Sequence, residues 1–292
     1  MTPRTYRGNC HCGAFVYSIA GVNEISEVIE CNCSVCFKKG YMLFFPGDNA
    51  QFTLVKGTEA DLASYTFGPA TLSHKFCPKC STGLFVCSEG KPLGQGIGLN
   101  VHAIQGVNTW KVTKKPYDGA AIGDAYVTSK YNGPEPASIP NGKRYTGSCH
   151  CGNIKVAMEN EEMEGHPTMR IVICNCSICE RLGVVWVYPQ TEQVQLDAAP
   201  DAIGKYSFAY GILEKLFCKR CGVCTSNVAA DLNEAQLKAM PQNYADYWAR
   251  HRKLHPVNIL TLDGVDMEKI KIQYLDGWKD IPNPGSGAYV DP

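Results

Sequence analysis

Short runs of β-branched and aromatic residues, each bounded by glycine or proline, recur along the chain. Ala14-Phe15-Val16-Tyr17-Ser18-Ile19, Tyr41-Met42-Leu43-Phe44-Phe45 and Val184-Val185-Trp186-Val187-Tyr188 are the clearest. Such runs suit short strands packed on a core, and helical periodicity is scarce in the first half. One segment breaks the pattern. In residues 232–254, Asn233 is a candidate N-cap with Gln236 three positions on, and Pro241 should separate two short helices. Leu232, Leu237, Met240, Tyr244, Tyr247 and Trp248 form the apolar side of this unit, and Arg250, His251, Arg252, Lys253 and His255 make its end basic. It reads either as a helical pair packed on its domain with solvated charges, or as a lid offering cations to a substrate carboxylate.

Cysteines then reveal an internal repeat. Cys10-His11-Cys12, Cys31-Asn32-Cys33-Ser34-Val35-Cys36 and Cys77-Pro78-Lys79-Cys80 return as Cys149-His150-Cys151, Cys174-Asn175-Cys176-Ser177-Ile178-Cys179 and Cys218-Lys219-Arg220-Cys221. Other positions keep step: Gly40 and Gly183 each lie four residues past the third motif cysteine, and Asp118-Gly119 parallels Asp276-Gly277. The chain is a tandem duplication. Its expected organisation is a first domain at 1–130, a Pro- and Gly-rich linker at 131–143, a second domain at 144–281 carrying the helical insertion near 232–254, and a tail at 282–292. The fold class expected is mainly β, two tandem domains of antiparallel sheets in which metal clasps replace part of a small core.

Composition narrows the function. Twenty-eight basic and 28 acidic residues balance, which argues against a nucleic-acid partner. Loading with four zinc ions would take the chain to about −6, further from such a role. No stretch is apolar enough to span a bilayer, and the N-terminus leads straight into the first motif with no room for a signal peptide. A cytoplasmic protein with reduced thiols is expected, where clustered cysteines mean metal or catalysis.

C-x-C and C-x2-C pairs each supply half of a tetrahedral site. Cys10 and Cys12 with Cys77 and Cys80, and Cys149 and Cys151 with Cys218 and Cys221, make two closed four-thiolate structural sites. Cys31, Cys33 and Cys36, and Cys174, Cys176 and Cys179, make two sites of three thiolates, whose fourth position belongs to water or substrate, or to another side chain if they too are structural. The two remaining cysteines, Cys87 and Cys224, occupy non-equivalent positions and read as plain buried thiols. His11 and His150, inside C-H-C, suit a turn or supporting role, and His74, His102, His166 and His255 suit surface or satisfied core positions. Lys38, Lys39 and Arg181 read as solvated charges that could also attract substrate carboxylates.

The set G-x-C-x-C-G, C-N-C-S-x-C and C-x2-C, followed by an Asn-bearing strand and a late Asp-Gly, resembles the glutathione-dependent formaldehyde-activating enzyme family, which includes centromere protein V. The resemblance covers nearly all of both halves. It implies a zinc-bearing β-tent fold with one four-cysteine structural zinc and one three-cysteine catalytic zinc per domain, hence up to four Zn2+ per chain. Ser81 stands where the second copy has Gly222, and the helical insertion has no equivalent in the first copy, so the two copies have diverged.

The function expected is that of a zinc-dependent carbon–sulfur lyase-type enzyme. It would act on a small-molecule thiol or thiol adduct, of the glutathione, S-hydroxymethyl or thioether kind, at the three-cysteine centres. Three thiolates make zinc a mild Lewis acid, which favours thiol chemistry over water activation. Two alternatives stand beside it. One is a zinc-dependent isomerase or other lyase on a specialised metabolite, held by aromatic walls (Tyr41, Phe44, Phe45, Trp186, Tyr188). The other is a non-catalytic zinc-stabilised binding module.

Overall fold

In the computed structural model, which describes residues 3–47 and 49–280, each half builds the same pair of sheets. In the first half Arg4–Asn9, Val16–Val22 and Gln51–Lys56 form a three-stranded antiparallel sheet. The larger sheet has seven strands in the order Thr113–Tyr117, Glu27–Cys31, Leu43–Phe44, Ile97–Asn100, Gly83–Ser88, Leu72–Phe76 and Ala63–Tyr65. The second half repeats both. Lys143–Ser148, Ile154–Asn160 and Val194–Ala198 make the small sheet. Gln273–Leu275, Ile171–Cys174, Trp186–Val187, Val257–Asn258, Cys224–Ala229, Leu213–Cys218 and Ile203–Tyr206 make the large one.

The mainly β expectation holds, with one difference in strand direction. In each half the last strand pairs in parallel with the strand that enters the three-cysteine motif: Tyr117 opposite Cys31, and Leu275 opposite Cys174. That pairing delivers the Asp-Gly that follows, Asp118-Gly119 or Asp276-Gly277, to the cysteine loop. The expected strands at 41–45 and 184–188 shrink to two residues each, Leu43–Phe44 and Trp186–Val187. In the first half the cause is local: Tyr41 N–H is spent on Cys36 O, closing the turn after the motif helix.

Gly83–Ser88 is buried along nearly its whole length because both faces are covered, which explains its unbroken apolar run. Phe15, Tyr17, Leu84 and Phe85 of the first half share one apolar cluster with Val172, Ile178, Trp186 and Phe217 of the second. The halves are therefore welded by a common core.

At the centre of that weld two backbones touch. Helix α1 (Ser34–Lys38) and helix α2 (Ser177–Leu182) follow the equivalent C-N-C motifs, and the glycines just beyond them, Gly40 and Gly183, face each other. Both have left-handed backbone (φ +57° and +61°), and a Cβ on Gly40 would collide with the Gly183 carbonyl oxygen. Only glycine satisfies both demands.

The charges beside this contact correct the sequence reading. Lys38, Lys39 and Arg181 are 5%, 5% and 3% exposed: they are not solvated but buried between the halves. Lys38 Nζ donates to Ser148 O (3.0 Å) and Thr261 O (3.1 Å), near Asp263 at 3.6 Å. Arg181 Nη2 donates to Asn9 Oδ1 at 3.0 Å, the reciprocal reach from the other half. Lys39 Nζ sits 4.6 Å from the Phe76 ring centroid, and burial pushes it down to about 8 against the pull of Cys221, Cys218 and Cys36. Ser81 Oγ, at a position where the copies differ, donates to its own counterpart, Gly222 O, at 2.8 Å. The expected tail, 282–292, lies outside the described residues.

The insertion folds as its sequence indicates. Asn233 caps helix α3 (Glu234–Lys238), accepting from Gln236 N–H at 2.9 Å while Gln236 Oε1 accepts from Asn233 N–H at 3.0 Å. Pro241 precedes helix α4 (Gln242–His251). All six residues of the expected apolar side are half-buried, and Trp248 Nε1 ties the unit to Ala230 O at 2.8 Å. No helix among the described residues is long and apolar enough to cross a membrane.

Candidate metal centres and the cavity of the second half

Four groups of cysteine sulfurs converge, each within 4.8 Å: Cys10, Cys12, Cys77 and Cys80; Cys149, Cys151, Cys218 and Cys221; Cys31, Cys33 and Cys36; and Cys174, Cys176 and Cys179. Each of the four groups could hold a metal ion. In the quartets, Cys10–Cys12 and Cys12–Cys77 are 3.6 Å apart, and Cys149–Cys151 and Cys151–Cys218 are 3.7 and 3.5 Å. A tetrahedron with metal–sulfur bonds of about 2.3 Å has edges of about 3.8 Å, so the donor sets fit four-thiolate metal. These distances exceed a disulfide bond of about 2 Å. One sulfur in each quartet, Cys80 and Cys221, is held well below the usual thiol range: burial opposes this, and hydrogen bonds from the other three sulfurs outweigh it.

The trios arise from the C-N-C-S-x-C turn. Cys176 N–H donates to Cys174 Sγ (3.3 Å) and Cys33 N–H to Cys31 Sγ (3.4 Å), while the third cysteine sits in the first turn of α1 or α2. The intervening asparagine fixes the loop: Asn32 Nδ2 donates to Asp118 Oδ1 (2.8 Å) and Asn175 Nδ2 to Asp276 Oδ1 (3.1 Å). The glycine after each Asp packs so closely that a Cβ on Gly119 or Gly277 would strike Cys31 or Cys174 Sγ. The Asn and Asp-Gly signatures are thus loop supports for the trio. Among the described residues, no histidine, carboxylate or further cysteine joins either trio. Cys87 and Cys224 are buried and lie outside all four groups, each near a backbone carbonyl at 3.9 Å.

The histidines of C-H-C reach across the molecule. His11 Nδ1 pairs with Tyr206 Oη (2.7 Å) and Nε2 with Ser177 Oγ (3.0 Å), both in the second half. His150 reciprocates with Tyr65 Oη (2.7 Å) and Ser34 Oγ (2.9 Å). Burial pushes both imidazoles down to about 4, so they serve as neutral donor–acceptors between two hydroxyls. Each clasp therefore braces the other half's trio. His74 and His102 are core residues as read, but their Nδ1 atoms have no hydrogen-bond partner.

The two trios have different surroundings. Cys174, Cys176 and Cys179 are all buried, and they open onto a small cavity of about 50 Å3 lined also by Trp186, Tyr188, Phe208, Lys215, Asn227, Tyr247 and His251. Trp186 Nε1 donates to Cys179 Sγ at 3.3 Å. Cys179 is held well below the usual thiol range by hydrogen bonds from Cys174 and Cys176, against its burial, with Lys215 and Trp186 helping. Tyr247 and His251 come from α4, so the insertion covers the trio. Of its basic end only His251 lines the cavity: Arg250 and Arg252 stack on Tyr247 and Trp248, and His255 is buried against Ser226 Oγ at 3.1 Å.

In the first half Leu43 takes the register position of Trp186, and the His74–Val86 pair that of Lys215–Asn227. No helix lies between Gly83–Ser88 and Ile97–Asn100 to serve as a cover. A wider groove of about 870 Å3 runs between the halves at Arg7, Gln105, Trp110, Glu180 and Trp278, and no cysteine lines it.

A solved structure of a Rhodobacter sphaeroides protein matches 44% of this chain and 98% of its own length, at 18% identity and a TM-score of 0.33. The family model for glutathione-dependent formaldehyde-activating enzyme matches twice, at residues 5–117 and 144–256. One match falls in each of the two halves seen in the fold, and the chain belongs to the glutathione-dependent formaldehyde-activating enzyme family as a tandem duplication of its domain.

Proposed function

We propose that the chain is a zinc enzyme that makes or breaks a carbon–sulfur bond of a thiol adduct, and that the second half performs the chemistry. The observation that carries this reading is the Cys174, Cys176 and Cys179 trio. It has three sulfurs, no fourth protein ligand among the described residues, and a cavity beside it. Three protein ligands leave a fourth coordination position for substrate, the pattern of catalytic zinc, whereas the two quartets have the pattern of structural zinc. Zinc, when bound, supplies the positive charge that lets a substrate thiol lose its proton near neutral pH.

The chain's own residues do the rest. Trp186 and the Cys176 amide hold two of the three sulfurs in place, through Cys179 and Cys174. Tyr188 and Tyr247 wall the cavity from water, and Lys215 faces the sulfurs with a positive charge. In the addition direction the thiol loses its proton, sulfur bonds to an aldehyde carbon, the C=O electron pair moves to oxygen, and that oxygen takes up a proton. The reverse restores thiol and aldehyde, with no oxidant in either direction.

The first-half trio, with Leu43, His74 and Val86 around it, reads as a divergent copy whose role is support. In the same proposal residues 1–130 and 144–281 are the two domains, joined by 131–143. The test is thiol–aldehyde exchange followed by NMR line shape. Cys176→Ala should abolish enzymatic exchange and Cys33→Ala should retain it; exchange that survives Cys176→Ala ends the proposal.

A further inference from the structure

We infer that the second-half cavity selects a small thiol bearing an acidic group, and that Lys215 is the residue that holds this group's negative charge. The inference rests on the reading of the trio as a thiol site. Lys215 is 4% exposed and lies on the strand Leu213–Cys218. Its Nζ donates to Asn227 Oδ1 at 2.5 Å and stands 5.6 Å from the Trp186 ring centroid. An ammonium has three N–H donors, and among the described residues this one makes no ion pair with a carboxylate. The trio's thiolates offset part of this buried charge, and the ammonium side that faces the cavity is open to a second anion, one carried by the ligand. The cavity it faces also contains the three sulfurs, so an anion bound there would sit within reach of the reacting position.

Two further features set the class of ligand. Arg170 stacks on Tyr188 at 4.3 Å on the cavity wall and makes no ion pair among the described residues, adding a second positive charge. The small space of about 50 Å3 under Tyr247 and His251 has room for a few heavy atoms, fewer than a tripeptide carries. The first half has the His74–Val86 pair at these register positions, so the anion site belongs to the second half alone.

The test titrates the zinc-loaded full chain by calorimetry with 3-mercaptopropionate, neutral 2-mercaptoethanol and glutathione, with zinc content measured in every variant. The acidic thiol should bind at least tenfold tighter than the neutral one and no weaker than glutathione. Lys215→Gln should erase the preference at unchanged zinc content, and Lys215→Arg should keep it. Equal binding of acidic and neutral thiols overturns the anion site, and so does a preference that survives Lys215→Gln. Loss of zinc in both Lys215 variants makes Lys215 a charge partner of the sulfurs instead and overturns it too. Tighter binding of glutathione overturns the size limit. If no thiol binds at all, the underlying thiol-site reading has failed.

Discussion

His11 Nε2 lies 3.0 Å from Ser177 Oγ, so the four-cysteine cluster of the first half is hydrogen-bonded to the three-cysteine motif of the second. With Tyr206 on its other nitrogen, His11 is a positioning residue for a site in the opposite half. His11→Ala strands two hydroxyls and should cost about 1–3 kcal/mol of stability. It should also lower thiol–aldehyde turnover with zinc content unchanged. His150→Ala, which strands Tyr65 and Ser34, should cost similar stability and leave turnover intact. Urea unfolding and exchange rates on both variants check this asymmetry.

The glycines that touch Cys31 and Cys174 make a second pair of tests. Gly277→Ala drives a methyl into Cys174 Sγ and should remove one zinc per chain together with activity. Gly119→Ala should remove one zinc and keep activity. Zinc per chain by elemental analysis, measured beside the exchange rate, separates the outcomes.

Contact between Gly40 and Gly183 should be among the least forgiving in the molecule. Gly183→Ala presses on the Gly40 carbonyl and should destabilise by more than about 4 kcal/mol. Gly264 is also left-handed (φ +71°) but has open space around it, so Gly264→Ala should cost only the backbone strain of about 1–2 kcal/mol. Chemical unfolding of the two variants isolates the steric part.

Burial pushes His255 down to about 4 from an ordinary value of 6.5, so it is neutral in the fold at pH 7 and contributes no pH dependence there. As pH falls below 6.5 the unfolded chain gains a proton that the folded chain refuses until about pH 4. Stability is therefore lost across that window, by up to about 3 kcal/mol. His255→Gln should flatten this part of the acid limb relative to the parent. Melting temperatures at pH 7, 5.5 and 4.5 provide the comparison.

The grouping of cysteines and helix capping are local, and both were legible in the residues alone. Two sulfurs two or three positions apart can meet at one ion, so spacing grouped the cysteines as the fold does, and Asn233 with Gln236 announced the start of α3. Contacts between distant faces left no such trace. Lys38, Lys39 and Arg181 look like solvent charges in sequence because their partners, such as Ser148, Phe76 and Asn9, are 37 to 172 positions away. Lys215 was missed as well, although a signal existed: it shares a strand face with Leu213 and Phe217, an odd phase for a lysine. The parallel edge strand was unreadable for a related reason, since 81 residues separate Glu27–Cys31 from Thr113.

Whether the second half's trio accepts a substrate sulfur is most directly read from the absorption spectrum of the cobalt-substituted chain, compared with Cys176→Ala. The account predicts that adding 3-mercaptopropionate strengthens the sulfur-to-cobalt charge-transfer band in the parent and leaves the Cys176→Ala spectrum unmoved. A parent spectrum that stays the same at saturating thiol would contradict it.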